Sequence, residues 1–194
     1  MKNRIAISIV AVVLAACGGS SDVEPTSSLS TMARLGESIF EDESLSASRR
    51  MSCRTCHQPA TGHASVQDAP AEFGGPDLSL QGGRNVPGIR YLRTNAAFHF
   101  DEEGTPTGGF FWDGRAASLE AQAGGPFLSP GEMAMPSKAA VVERLRQATY
   151  ASEFAAVFGG DVFDDVDRAY AAVTMALAQY QREDEEFAAF SSKY

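Results

Sequence analysis

The sequence predicts an all-α domain with long loops and few or no strands. Five separate segments carry apolar residues at helical spacing, and no segment shows the alternation of a half-buried strand. After the first of these segments, residues 58–110 are rich in Gly, Pro, Asn and Asp and show no long periodic run. A loop region of this length inside a domain usually has a function, and enclosing a cofactor is one such function.

The five helices are predicted from spacing, caps and breakers. The first begins near Thr31, because Met32, Leu35, Ile39 and Phe40 fall on one helical face. The other four follow the loop region. They are a short helix over 116–123 that ends at Gly124-Gly125-Pro126, one capped by Ser137, one over 154–158 closed by Gly159-Gly160, and the longest, which begins near Asp164 or Asp165.

The amino-terminal segment is typical of an export signal. A short basic region precedes an apolar run over 5–14, which is too short to span a bilayer as a stable helix. Small residues before Cys17 resemble the lipobox of bacterial lipoproteins, whose cysteine carries diacylglycerol after cleavage; the alternative is an ordinary secretory signal. We expect a signal peptide over 1–16, a flexible tether over 17–30 and one domain over 31–194. The protein is then lipid-anchored on the periplasmic side of a bacterial membrane.

The charge of the chain excludes some partners. Loss of the signal peptide removes Lys2 and Arg4, so the net charge changes from −9 to −11. Such an acidic chain cannot neutralise phosphates, which argues against nucleic acid as a partner. It also argues against adsorption to anionic lipid, so the expected membrane contact is the acyl chains on Cys17. A basic protein partner fits electrostatic steering, although most of these charges serve solubility.

The pattern Cys53-Arg54-Thr55-Cys56-His57 is that of covalent c-type haem attachment. The two thiols add across the vinyl groups of the porphyrin, and the adjacent histidine lies beneath the iron as proximal ligand. With Cys17 assigned to the lipid, no cysteine is left for a disulfide. The sequence therefore predicts one covalent haem c in a cytochrome c-like domain.

Two other uses of the cysteine pair are weaker. A zinc site would need two more ligands, and only His63 and His99 remain among the histidines. A thioredoxin-type dithiol would need a βαβ context, which is absent.

A haem alone does not separate an electron carrier from an enzyme. A carrier needs a sixth protein ligand on the iron, whereas an enzyme needs that position open, or able to open, with acid–base groups above it. His63 or His99 could ligate the iron in a resting state. Met133 and Met135 are the candidates for a methionine-ligated carrier.

Six motifs follow one another along the chain. They are Leu35-Gly36-Glu37-x-x-Phe40, Ser52-Cys53-x-x-Cys56-His57-x-Pro59, Arg84-Asn85-x-Pro87, Phe111-Trp112-Asp113-Gly114-Arg115, Leu119-x-x-Gln122 and Gly125-Pro126-x-x-x-Pro130-x-Glu132-Met133. Together they resemble the amino-terminal domain of the bacterial di-haem cytochrome c peroxidase and MauG family. The resemblance implies a peroxidatic haem that reduces hydrogen peroxide with electrons from a small periplasmic c-type cytochrome or copper protein.

The resemblance also implies roles for single side chains. Glu132 is similar to the distal carboxylate that moves a proton between the two peroxide oxygens, and Gln122 to the distal amide that orients the peroxide. Pro126 resembles the proline that shapes the haem cavity, and Trp112 the electron relay between two haems. Asn85 is similar to a ligand of an interdomain calcium ion. Without the resemblance, each would be interpreted as an ordinary surface or core residue.

Two features depart from the family pattern. The family has a second domain with its own Cys-x-x-Cys-His, and this sequence has no second such motif. The chain is then a fragment, a partner of a carboxyl-terminal haem domain on another polypeptide, or a protein that works with one haem. The second departure is His63, which stands where many relatives have an aromatic residue.

Three expectations follow for function. The main one is a haem c peroxidase that contacts a second haem domain through an exposed apolar patch on the terminal helix, formed by Tyr180, Phe187, Phe190 and Tyr194. The alternative is a mono-haem electron-transfer protein without peroxidase turnover. Family members that oxidise amino-acid side chains of a partner protein are a further possibility that the sequence does not separate from peroxide scavengers.

Overall fold

Six α-helices and two very short antiparallel sheets form the described part of the chain, residues 29–65 and 69–190 of this computed structural model. The helices are α1 (Thr31–Glu41), α2 (Cys53–Cys56), α3 (Leu119–Leu128), α4 (Lys138–Arg146), α5 (Ala151–Phe158) and α6 (Val166–Glu183). The strands are β1 (Phe73–Gly74) paired with β2 (Leu80–Gln81), and β3 (His99–Phe100) paired with β4 (Pro106–Thr107), with Phe73 opposite Gln81 and His99 opposite Thr107. The predicted all-α class with long loops and few strands is confirmed.

The pairing of α1 with α6 forms the centre of the core. Leu35 and Ile39 of α1 are almost fully buried, and burial of such a side chain contributes roughly 1.5–3 kcal/mol. Gly36 permits the close approach, because a Cβ atom at this position would overlap the carbonyl oxygen of Ala176 in α6. The apolar face predicted for the first helix is therefore the face that packs on α6.

Two residues assigned to the predicted tether, Leu29 and Ser30, contact the helical core. The hydroxyl of Ser30 caps α1 by accepting a hydrogen bond from the backbone N–H of Ala33, at 3.2 Å. Leu29 is buried against the same core. Residues 1–28, which hold the predicted signal peptide and most of the tether, lie outside the described residues.

The helix α3 does not end at Gly124-Gly125-Pro126, where the sequence predicts its end, but continues to Leu128. An interior proline removes one helical hydrogen bond and costs about 3 kcal/mol. Packing against α6 outweighs this cost: Phe127 is fully buried, and the hydroxyl of Tyr170 donates to the carbonyl oxygen of Gly124 at 2.5 Å. The extension places Gln122 and Pro126 one turn apart on the same face of α3.

The starts of α4 and α6 and the end of α5 agree with the sequence prediction, whereas α5 begins at Ala151 instead of 154 and α3 at Leu119 instead of 116. Ser137 caps α4 and Asp165 caps α6 through side-chain oxygens that accept backbone N–H groups. Gly159, with φ of 104°, follows the last residue of α5. Among the described residues, no helix combines the length and the apolar character needed to cross a membrane.

The predicted apolar patch on the terminal helix is wrong for two of its members. Tyr180 and Phe187 are 6% and 1% exposed, and both rings pack edge-on against Phe40 in the core. Phe190 is exposed, and Tyr194 lies outside the described residues. Tyr180 on α6 and Phe187 in the turn after it thus reflect core packing, because both side chains fill the space beside α1.

Exposed aromatic side chains elsewhere in the described part of the domain include Phe98, Phe100 and Trp112. Phe98 and Phe100 pack edge-on against each other around β3, with ring centroids 5.4 Å apart. Trp112 is exposed on the loop that precedes α3. The rings of Phe98, Phe100 and Trp112 are termed here the exposed aromatic group.

Candidate active site

A cavity of about 470 Å³ lies between α2, α3, α6 and the long loop region. Its volume falls in the range of cofactor sites. Eight side chains proposed from the sequence line it: Cys53, Cys56, His57, Asn85, Trp112, Gln122, Pro126 and Glu132. The structure therefore brings the attachment motif and the proposed peroxide-handling residues, which are up to 79 positions apart in the chain, to one cavity.

The single turn α2 holds the two thiols against the core. Burial is the main cause that raises the pKa of Cys53 and of Cys56 to about 12, so both thiols are neutral. A redox dithiol or a zinc thiolate needs the opposite shift in pKa. Within the described ranges, no group of three or more His, Cys, Asp or Glu side chains could hold a metal ion. Two uncharged sulfurs packed on apolar side chains fit the thioether bonds of a haem c.

The ring of His57 is oriented by a backbone carbonyl. Its Nδ1 lies 3.0 Å from the carbonyl oxygen of His63, which can only accept, so Nδ1 carries the proton and donates. Burial lowers the pKa of His57, which keeps the imidazole neutral. The lone pair on Nε2 is therefore available to an iron ion.

The side of the cavity formed by α3 carries the proposed peroxide-handling groups. Gln122 and Pro126 project from one face of the helix, and Glu132 follows in the next loop. Desolvation by the surrounding protein atoms raises the pKa of the Glu132 carboxyl above its ordinary value. A hydrogen bond from Ser129 and the positive charge of Arg115 lower this pKa, but by less. A raised pKa makes the carboxylate a stronger base, which helps it to accept a proton that it can then return.

The loop that carries Glu132 is held by β1, a contact that the sequence did not reveal. The N–H of Gly75 donates to the carbonyl oxygen of Glu132 at 2.8 Å, and the N–H of Glu132 donates to Ser129 at 3.0 Å. A Cβ atom on Gly74 would overlap the carbonyl oxygen of Gly131. A strand of two residues has no periodicity to detect, so sequence reasoning could not find this support.

Trp112 lines the cavity and is also 63% exposed. Its indole N–H donates to the backbone carbonyl oxygen of Asn85 at 2.8 Å, which fixes the ring where cavity and surface meet. This position suits an electron relay. Asn85 thus contacts Trp112 through its main chain, whereas calcium binding by its side chain stays a prediction.

Two arginines that line the cavity share one carboxylate. Arg84 and Arg115 each place an Nη1 atom 2.8 Å from an oxygen of Asp113, and hydrogen bonds from both lower the pKa of that carboxyl to about 2. Arg115 also lies over the ring of Phe111, 3.9 Å from its centroid. Two guanidinium groups against one carboxylate leave an excess of one positive charge within this cluster, although Glu72 and Glu132 also line the cavity. The cluster can therefore pair with a carboxylate of a haem. The motifs contained both arginines, but their pairing across the loop is visible only in the fold.

The four side chains considered as a sixth ligand of the haem iron lie in different parts of the domain. The ring of His63 is buried outside the cavity lining, and burial together with Arg90 lowers its pKa to about 4. His99 is exposed on β3 and also lies outside the lining, so ligation by either histidine stays a prediction. Met133 is buried and lines the cavity, whereas Met135 is buried without lining it.

Comparison with known proteins decides the family. The sequence model of di-haem cytochrome c peroxidases matches residues 30–194. The chain belongs to this family. Membership confirms the resemblance drawn from the six motifs, and the family implies haem c.

Individual members of the di-haem peroxidase family resemble the chain over nearly its full length. It is 42% identical to the methylamine utilization protein MauG of Paracoccus denitrificans over 198 residues, which cover 100% of this chain and 50% of that protein. It is 30% identical over 192 residues to the cytochrome c551 peroxidase of Nitrosomonas europaea, covering 93% of this chain and 51% of that protein. The chain therefore spans about half the length of these curated relatives.

A solved member of the di-haem peroxidase family has the same fold. The crystal structure of the diheme peroxidase BthA from Burkholderia thailandensis matches with a TM-score of 0.75 and 33% identity. The match covers 80% of this chain and 39% of that chain. The predicted cytochrome c-like haem domain is thereby confirmed as the fold class.

Proposed function

We propose that this domain carries one covalent haem c and reduces hydrogen peroxide with electrons from a small periplasmic cytochrome or copper protein. One observation carries the proposal: Glu132, Gln122 and Pro126 line the same cavity as the haem attachment motif. The bound haem supplies the iron at which peroxide is reduced, with Cys53 and Cys56 as its attachment points.

The side chains of this chain divide the remaining work. His57 offers Nε2 to the iron, and Arg84 and Arg115 would pair with the haem carboxylates. The Gln122 amide, with one acceptor and two donor positions, orients a peroxide molecule in the cavity. Glu132 takes the proton from one peroxide oxygen and returns it to the other, so that the second oxygen leaves as water.

The spectrum of the haem-loaded ferric protein tests this proposal. We expect a high-spin or mixed-spin haem whose spectrum changes rapidly on addition of hydrogen peroxide, because no described histidine besides His57 lines the cavity. The alternative, a mono-haem electron-transfer protein, is favoured by one observation: Met133 is buried at the cavity and could ligate the iron. A fully low-spin haem that is inert to peroxide would support this carrier and contradict the peroxidase.

Electrons are proposed to reach this haem from a carboxyl-terminal haem domain, in cis or in trans, by way of Trp112. We expect the isolated chain to react once with peroxide but to oxidise reduced cytochrome c slowly. Adding a second haem domain of this family should restore turnover, and Trp112→Phe should remove that gain while leaving the first peroxide reaction intact. Phe100→Leu is the matched control, since it alters another member of the exposed aromatic group. Full turnover by the isolated chain, unaffected by Trp112→Phe, would mean that the domain is complete with one haem.

Attachment to the membrane through Cys17, outside the described residues, is proposed from the lipobox-like sequence. We expect the protein to fractionate with membranes and to incorporate labelled fatty acid, and Cys17→Ser to abolish the labelling. Unlabelled protein in the soluble periplasmic fraction would identify an ordinary secretory signal instead.

A further inference from the structure

The carbonyl oxygen of His63 is the acceptor that orients the proximal histidine. It receives the Nδ1–H of His57 at 3.0 Å and also the backbone N–H of Ile89 at 3.2 Å. The N–H of His63 donates in turn to the carbonyl oxygen of Gln58 at 2.8 Å. The backbone of His63 is therefore tied on both sides immediately behind the proposed iron ligand.

The backbone of His63 adopts an unusual conformation, with φ of +56°. A residue other than glycine pays about 1–2 kcal/mol in this left-handed region, so the surroundings must hold it there. This conformation aims the carbonyl oxygen at His57. The backbone hydrogen bonds to Gln58 and Ile89 supply part of this restraint, and the side chain of His63 is held as well.

The ring of His63 is buried and anchored from two directions. It stacks on Phe187, with centroids 4.1 Å apart and an interplanar angle of 29°. The Nε of Arg90 donates to His63 Nδ1 at 3.2 Å, and Nη2 of the same guanidinium donates to the carbonyl oxygen of Pro59 at 3.2 Å. Since arginine can only donate, Nδ1 of His63 accepts and the ring proton is on Nε2.

We propose that His63 is a positioning residue for His57, and that its ring, clamped by Arg90 and Phe187, fixes the carbonyl that receives the Nδ1 proton. A hydrogen bond at Nδ1 gives the imidazole more anionic character, which strengthens electron donation to the iron and favours the ferric state. The inference rests on the proposed haem site. It gives the buried histidine a role behind the proximal ligand instead of a place on the iron.

Reduction potentials of the haem-loaded protein test this role. We expect His63→Phe, Arg90→Lys and Phe187→Leu each to shift the ferric–ferrous equilibrium toward ferrous by up to about tenfold, a rise of up to about 59 mV for one electron. The iron–histidine stretching frequency of the ferrous protein should fall in the same variants. Arg90→Lys is the mildest of these changes, because it keeps the charge and removes only the paired donors.

Two matched controls separate positioning from general destabilisation. Arg93→Lys alters an exposed arginine on the same loop, and Phe190→Leu alters an exposed phenylalanine near Phe187. Both controls should leave the potential and the stretching frequency unchanged. Wild-type values in Arg90→Lys and Phe187→Leu, with haem still covalently attached, would overturn the proposal even if the protein reacts with peroxide. Failure to react with peroxide, with the expected shifts present, would contradict the peroxidase function and leave the role of His63 supported.

Discussion

Replacing Glu132 with Gln is expected to slow the reaction of the haem-loaded protein with hydrogen peroxide by roughly 10²–10⁴-fold, the usual contribution of general acid–base catalysis. The amide keeps the volume of the side chain but can no longer exchange a proton. Gln122→Ala should slow the reaction less, because this amide only orients the peroxide. The rate constant is measured by stopped-flow mixing of the ferric protein with peroxide.

The pH dependence of the same rate gives an independent check. Desolvation by the surrounding protein atoms raises the pKa of Glu132, and only its ionised form can accept the first proton. In the native protein, the rate should therefore fall as the pH drops through this raised pKa. In the Glu132→Gln protein that fall should be absent.

Glu143→Gln on α4 is the matched control, since Glu143 is exposed and lies outside the cavity lining. It should leave both the rate and its pH profile unchanged. An unaltered peroxide rate in Glu132→Gln would show that this carboxylate does not take part in the reaction.

Replacing Cys53 and Cys56 together with Ala is expected to abolish covalent haem attachment completely. In the native protein, the denatured chain should keep its colour through acid–acetone extraction and carry the mass of one haem, because thioether bonds survive the treatment. In the double variant, the extract should take all the colour. Either single variant should keep its haem through the one remaining thioether bond and so retain its colour.

Cys17→Ser is the matched control for this experiment, because it removes a thiol outside the attachment motif. It should keep its covalent haem. Complete loss of colour from the native protein on extraction would refute the haem assignment itself.

The sequence predicted those parts of the fold that depend on local pattern. The apolar face of α1 and the capping of α4 by Ser137 are both encoded within a few neighbouring residues, and both are confirmed. The predicted end of α3 was wrong, because a helix that contains Gly124 and Pro126 is stable here only through its contact with α6. That contact joins segments about 50 residues apart, which no local pattern reports.

The residues of the candidate site were predicted from the sequence on a different basis. The positions of Gln122 and Glu132 relative to the attachment motif came from resemblance to a family, whereas periodicity alone left them as ordinary polar residues. The pairing of Arg84 with Asp113 was missed because the two residues are 29 positions apart, across a segment without a periodic pattern. His63 was identified as a chemically capable residue, but whether its ring or its carbonyl matters depends on a backbone angle that the sequence does not display.

The hydrogen bonds around Glu132 have a kinetic consequence. Both of its main-chain groups are engaged, its N–H with Ser129 and its carbonyl oxygen with Gly75. Transfer of a proton between two adjacent oxygens then requires only rotation about the side-chain torsions. Such rotations take picoseconds to nanoseconds, whereas loop motions are slower by orders of magnitude. The backbone of Glu132 thus stays in place while its carboxylate rotates, and this rotation is fast compared with the arrival of each peroxide molecule.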